Sequence, residues 1–201
     1  MKIVNVSEGY ENFSQKNNEI DPLISCNTTC YIMACSYIPE LWKLFKNSSI
    51  FKQYNKIYKQ EEDCFRKYML DLGLEPTVHN NLVDAFNHFI AKDVVKFETN
   101  VNYLAMISDL NKGLPLILSG TFPGYPNKRK EPLGHLVVLV GYVKDKESDL
   151  FPKEWIIDDP YGNTMNNWTG SGNNIHIPHK LFKNWMKSCN SDSKWAHRFK
   201  I

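Results

Sequence analysis

The sequence predicts an α+β fold, with a helical N-terminal half packed on an antiparallel sheet in the C-terminal half. Two observations carry this. Between Asn27 and Ala91 apolar residues recur at helical spacing, punctuated by Pro39, Gly73 and Pro76. Beyond Asp93 the pattern turns to short β-rich runs, chief among them HLVVLVGYV and EWIIDDPYG, which read as adjacent strands joined by a charged turn.

Residues 1–25 are rich in Asn, Ser and Glu and carry few periodic apolar positions, so they read as an irregular lead-in that holds Gln15. From Asn27 the run TTCYIMACSYI has no charge, which suits a helix buried on most sides, with Asn27, Thr28 or Thr29 as N-cap. Cys26 then stands at a helix N-terminus. Pro39 ends or kinks that helix, and ELWKLF, KQEEDCFRKYMLDLG closing at Gly73, and NNLVDAFNHFIA follow as further helices. VVKFE alternates as a strand, VNYLAMISDLNKG is a helix closed by Gly113, and LPLILSGTF is a strand. Residues 122–134, FPGYPNKRKEPLG, form a Pro, Gly and Lys-rich loop, and NTMNNWTGSGNN is a polar loop ahead of IHI, the helix HKLFKNWMK and a last strand KWAHRFKI. No repeat, linker or low-complexity stretch divides the chain, so residues 1–201 are expected to form a single domain.

Bulk composition excludes several function classes. At 201 residues, 42% apolar and 23% charged, the chain suits a soluble globular protein with one active site. Twenty-four Lys and Arg against 22 Asp and Glu leave no nucleic-acid footprint, and the lysines between residues 43 and 67 read as a solvated helix surface. No apolar run of about 18 residues is present to span a membrane, and MKIVNVSEGYENF lacks the apolar stretch of a signal peptide. A cytoplasmic location at synthesis is expected, with release on lysis open. The five cysteines, Cys26, Cys30, Cys35, Cys64 and Cys189, are odd in number and lack CxxC or His spacing, so neither a disulfide framework nor a zinc site is indicated and no cofactor is expected.

A nucleophilic cysteine needs a lowered pKa, a base within hydrogen-bond reach and donors for the oxyanion. A helix N-terminus offers partial positive charge and unpaired amides, and Cys26 is the cysteine so placed. Cys30 lies one turn on, and Cys30 and Cys35 inside an apolar helix read as small buried hydrophobes, as Cys64 and Cys189 do in later helices. His79 and His88 lie on or beside a polar helix start, and His176, His179 and His197 near the C-terminus; each alone reads as structural. His135 differs, because it follows Gly134 at the mouth of a strong strand, where a rigid backbone can aim the ring. Asp158 and Asp159 end the neighbouring strand, and since successive strand residues face opposite ways, only one of them can orient that ring.

Three blocks resemble the papain-like peptidases of the bacteriocin-leader-processing type, cysteine peptidase family thirty-nine, and especially its stand-alone bacterial and phage relatives. SQKNN at residues 14–18 resembles the family's SQxDN segment, and SCNTTCYIMA at 25–34 its nucleophile segment. GHLVVLVGY and IIDDPYGN are similar to its paired histidine and aspartate strands. The resemblance implies a papain-like fold, Cys26 as nucleophile, Gln15 as oxyanion donor, His135 as base and Asp159, just before Pro160, as the orienting acid. Asn27 and Thr28 replace the usual Gly and Pro, Asn17 stands where Asp is common, and Cys30 stands where Ser is frequent. Asn27 and Thr28 bear on substrate preference more than on the chemistry.

The activity implied is thiol-dependent hydrolysis of a peptide or isopeptide bond, without cofactor or metal, on a peptide, protein or cell-wall peptide. A peptidoglycan endopeptidase of lytic or endolysin type is one alternative. Another is a catalytically silent papain-like binding or inhibitory module, and acyl transfer would use the same residues. Trp42, Phe45 and Tyr54 read as core packing, with a substrate lid as the alternative.

Overall fold

The computed structural model of the chain describes residues 1–122, 134–188 and 193–201. Most of the predicted Lys-rich loop and the expected helical position of Cys189 lie outside the described residues. Among those described, seven α-helices and a seven-stranded antiparallel sheet form an α+β fold. Numbered along the chain, the strands are β1 (Lys2–Asn5), β2 (Val95–Asn102), β3 (Leu116–Thr121), β4 (Gly134–Lys144), β5 (Glu154–Asp158), β6 (Ile175–Pro178) and β7 (Ser193–Phe199). Their order is β2-β7-β3-β4-β5-β6, with β1 added on β4.

β4 is long enough to serve two partners along one edge. Its first residues pair with β3, and Gly141 to Lys144 pair with β1, while β5 lies on the other edge. The N-terminal segment is therefore not irregular throughout, as its composition suggested. Four residues are too few to show a period, and KIVN becomes a strand because the far end of β4 offers unpaired backbone groups. Gly141 permits this approach: a Cβ there would lie 2.0 Å from the Val4 carbonyl oxygen.

The helices are α1 (Cys26–Ser36), α2 (Pro39–Asn47), α3 (Ser49–Tyr54), α4 (Glu61–Asp71), α5 (His79–Phe89), α6 (Tyr103–Asn111) and α7 (His179–Trp185). Every residue of α1 is buried, which explains a run with no polar face. Its N-cap is Ser25, two positions before the first candidate predicted, and Asn27 and Thr28 already lie in the first turn. Pro39 opens α2 at a position where its missing N–H costs nothing. α3 was not foreseen from periodicity; it is short, and Ser48 caps it by accepting from the Phe51 N–H. Val101 and Asn102, read as helical, belong to β2, and Asn102 caps α6 by accepting from the Ala105 N–H. His88 lies in the last turn of α5 and not at its start.

The sheet separates two apolar layers. Leu136, Val138 and Val140 of β4 face α1, α2, α4 and α5, while Val137 and Leu139 face α6 and α7. Phe45 is fully buried between Trp42 and Phe89, with ring centroids 5.3 Å from each, and Tyr54 packs on the same layer. These aromatics are core and do not form a lid. Among the described residues, no helix is long and apolar enough to cross a membrane.

Candidate active site

The start of α1 is fixed by groups from α4. The Asp63 carboxylate, fully buried, accepts from the N–H groups of Glu19 and Ile20 at 2.8 and 3.0 Å. Arg66 donates to Asp21 at 2.9 Å and to Asn27 Oδ1 at 3.1 Å. Asn27 in turn donates to the Pro76 carbonyl and accepts from the Thr28 N–H. The two residues flanking Cys26 are thus held by α4, the loop after it and Asn18, whose amide lies 2.9 Å from Ser25 Oγ. Composition gave no sign of Asp63 or Arg66, because charged residues in a helix read as surface.

His135, the second residue of β4, is buried, and its Nε2–H donates to Asp159 Oδ1 at 2.8 Å. That bond leaves Nδ1 turned away from Asp159, and the ring and the Cys26 sulfur act on each other's titration. Burial alone would push the Cys26 thiol up, but the hydrogen bond and charge of His135, aided by the Leu136 N–H, leave it below its ordinary value. Burial likewise opposes a charged His135, yet Asp159 and the Cys26 sulfur raise its pKa. Both directions favour the charged forms of the pair. Phe122 and Trp168 present rings edge-on to His135, with centroids 5.6 and 5.5 Å away, and both are buried. Trp168 reaches this position from a loop in which it and Asn167 both hold left-handed backbone, φ 63° and 49°. It was not anticipated, since a tryptophan in a polar loop carries no spacing signal.

The adjacent aspartates divide as strand alternation requires. Asp158 accepts from the Tyr37 hydroxyl at 2.8 Å and the Asn174 N–H at 2.7 Å, tying the end of α1 to the sheet. Asp159, just past β5, takes His135 and the Tyr161 N–H, the latter at 2.8 Å. Its own N–H donates to the Gly172 carbonyl at 2.8 Å. A Cβ on Gly172 would come within 1.8 Å of the Asp159 carbonyl oxygen, so only glycine permits this contact.

Gln15 is fully buried in a 3-10 turn, Gln15–Asn17, and its N–H donates to the Pro160 carbonyl at 2.9 Å. The side-chain Nε2 donates to the Pro22 carbonyl at 2.9 Å, four residues ahead of Cys26, and its second hydrogen makes no hydrogen bond among the described residues. A cleft of about 530 Å³ runs along this turn, lined by Asn12, Ser14, Lys16, Asp159 and Tyr161 among others; Cys26 is not on its wall.

The remaining candidates lie elsewhere. Cys30 donates to the Leu136 carbonyl at 3.2 Å, and burial pushes its thiol well up, as it does for Cys35. Cys64 is buried in α4, and the four described cysteines are free thiols. His197 lies between Tyr31 and His79, at 2.6 and 2.8 Å, and burial lowers both histidines. His88 meets the Tyr68 hydroxyl, His176 meets Glu154, and His179 accepts from Trp155. Among the described residues no cluster of His, Cys, Asp and Glu could hold a metal ion.

A solved structure from Bacillus anthracis, which carries the provisional label of C39-like peptidase, superposes with a TM-score of 0.55 at 16% identity over 100% of this chain and 98% of its own. That likeness is one of fold. No curated protein matches the chain in sequence. The profile of the Peptidase_C39 like family matches residues 8–188, and the chain belongs to that family.

Proposed function

We propose that this chain is a cysteine peptidase that hydrolyses a peptide or isopeptide bond through an acyl-enzyme on Cys26. The observation that carries the reading is the buried His135–Asp159 hydrogen bond of 2.8 Å, with the same ring holding the Cys26 thiol below its ordinary value. The Cys26 thiolate attacks the carbonyl carbon, forming a C–S bond as the carbonyl π pair moves to oxygen. The Cys26 N–H, left unpaired by helix geometry, and the second Nε2 hydrogen of Gln15 would hold that oxyanion. Collapse breaks the C–N bond while His135 gives its Nδ1 proton to the leaving amine. Water then attacks the thioester, passing its proton to His135, and the acid leaves with the thiolate restored. Asp159 keeps the ring oriented and favours its charged form throughout. Nothing in this sequence of steps calls for a cofactor.

Release of peptides from a casein-type substrate, set beside turbidity of permeabilised bacteria, tests the activity and separates protein from cell-wall cleavage. Turnover that disappears in Cys26→Ala with an unchanged circular dichroism spectrum is expected. Retained hydrolysis in that variant contradicts the assignment.

A further inference from the structure

The cleft beside the Gln15 turn gathers unmet hydrogen-bonding capacity. Oδ1 of Asn12, Oδ1 of Asn173 and Oδ2 of Asp159 are buried, without a hydrogen-bond partner among the described residues, and all three residues line this space of about 530 Å³. Buried polar groups are ordinarily paired, so three unmet ones around a single cleft mark a place for a ligand that pairs them. The two asparagines are near neighbours there. Asn12 Nδ2 lies 3.4 Å from the point a Cβ on Gly172 would occupy, and Gly172 directly precedes Asn173.

Charge and shape together select the ligand. Lys16 and Glu11 both line the cleft, so its charged side chains carry opposite signs, and neither an acidic nor a basic side chain is favoured throughout. Lys16 is turned to the Trp168 carbonyl at 3.3 Å and lies 4.6 Å over the Tyr161 ring, while the Asp159 carboxylate already holds His135 and the Tyr161 N–H. Gly162, Gly170 and Gly172 contribute no side chains to the lining, which lets another main chain come close. A peptide group offers one donor and one acceptor. A side-chain amide offers both as well, so Asn12 and Asn173 match it whichever way each amide is turned.

We propose that this cleft is a binding site for the main chain of an extended peptide, with the amides of Asn12 and Asn173 pairing to its peptide groups. Ser14 and Lys16 flank Gln15, and Asp159 holds His135, so the cleft adjoins the catalytic residues although Cys26 is not on its wall. The residues it holds are therefore not those of the scissile bond, and only a peptide long enough to reach both places uses it. This link to turnover rests on the cysteine peptidase reading above; the binding itself does not.

The test follows the side-chain amide resonances of Asn12 and Asn173 by NMR in full-length Cys26→Ala. The probe is a capped, neutral octapeptide of alternating Gly and Ser, set beside the same peptide N-methylated at every residue. Both amides are expected to shift saturably with the first peptide and to stay in place with the second, which has lost its N–H donors. Resonances that do not move, or that move equally with the N-methylated peptide, overturn the proposal. In turnover assays of the double variant Asn12→Ala, Asn173→Ala, the ratio of KM for an octapeptide substrate to KM for a dipeptide anilide should rise about fivefold or more. An unchanged ratio also overturns it. Should the double variant fail to fold, the shifts in Cys26→Ala decide alone. A chain that binds the octapeptide but hydrolyses nothing leaves the cleft standing and removes the peptidase reading; hydrolysis without shifts at Asn12 and Asn173 does the reverse.

Discussion

The Cys30 thiol donates to the carbonyl of Leu136 at 3.2 Å, while the N–H of the same residue helps hold the Cys26 thiol down. One backbone residue of β4 thus gives a donor to one sulfur and an acceptor to the other. An N–H favours a thiolate, whereas a carbonyl favours a thiol, so Leu136 acts in the same direction as His135 does at Cys26 and as burial does at Cys30. Cys30→Ala is expected to keep turnover within about threefold and to cost roughly 1–2 kcal/mol of stability for the lost packing and hydrogen bond. Steady-state kinetics beside urea unfolding check both.

For the His135–Asp159 pair the prediction concerns pH. A thiol held down and an imidazole held up widen the interval in which both are charged, so activity should persist below neutral pH and fall as pH drops through the lowered thiol value. Asp159→Asn removes the charge that raises His135 and should lower turnover about a hundredfold or more. The interval narrows from its alkaline side, which a pH profile of initial rates would register.

Gln15 enters as an oxyanion donor, and Gln15→Ala should lower kcat roughly a hundredfold to a thousandfold. The alkylation rate of Cys26 should change far less, because no oxyanion forms when iodoacetamide reacts. Equal losses in both assays would mean that Gln15 acts by holding the fold.

Gly172→Ala forces a Cβ toward the Asp159 carbonyl oxygen, a contact of 1.8 Å if nothing moves. The backbone must shift, which costs on the order of 1–3 kcal/mol. Because the same peptide carries the carboxylate that orients His135, turnover should fall by more than tenfold even where the protein remains folded. Thermal unfolding and kcat measured on one preparation separate the two effects.

Stability should also depend on Glu62. Its carboxyl is pushed from 4.5 to about 7 by burial, so the fold favours the neutral form. That stabilisation is fully present below about pH 4.5 and is lost as pH rises through 7. Glu62→Gln should therefore be more stable than the wild type at pH 8, by up to about 3 kcal/mol, and nearly equal to it at pH 4. Urea titrations at the two pH values check the sign.

Much of the architecture was legible because burial wrote it into the sequence. A strand covered on both faces shows as LVVLV, and a helix buried all round shows as TTCYIMACSYI. Lys2–Asn5 and Ser49–Tyr54 were not legible, since their states depend on the edge of β4 and on a single serine cap. At the site, strand alternation said that Asp158 and Asp159 must part company but not which would meet His135; that depends on Tyr37 and Asn174 arriving from elsewhere in the chain. Asn18 and Trp168 were hidden for a similar reason. Asn18 reaches Gln60 and Glu62, 42 and 44 residues away, and the His135 contact of Trp168 spans 33 residues, distances at which no local pattern reports.

The most direct test of Cys26 as the activated thiol is its alkylation by iodoacetamide at pH 6, with sites mapped by mass spectrometry in the wild type and in His135→Ala. The account predicts that Cys26 reacts at least tenfold faster than Cys30, Cys35 and Cys64, and that the advantage disappears in the variant. A Cys26 that reacts no faster than the other thiols, or equally fast without His135, would contradict it.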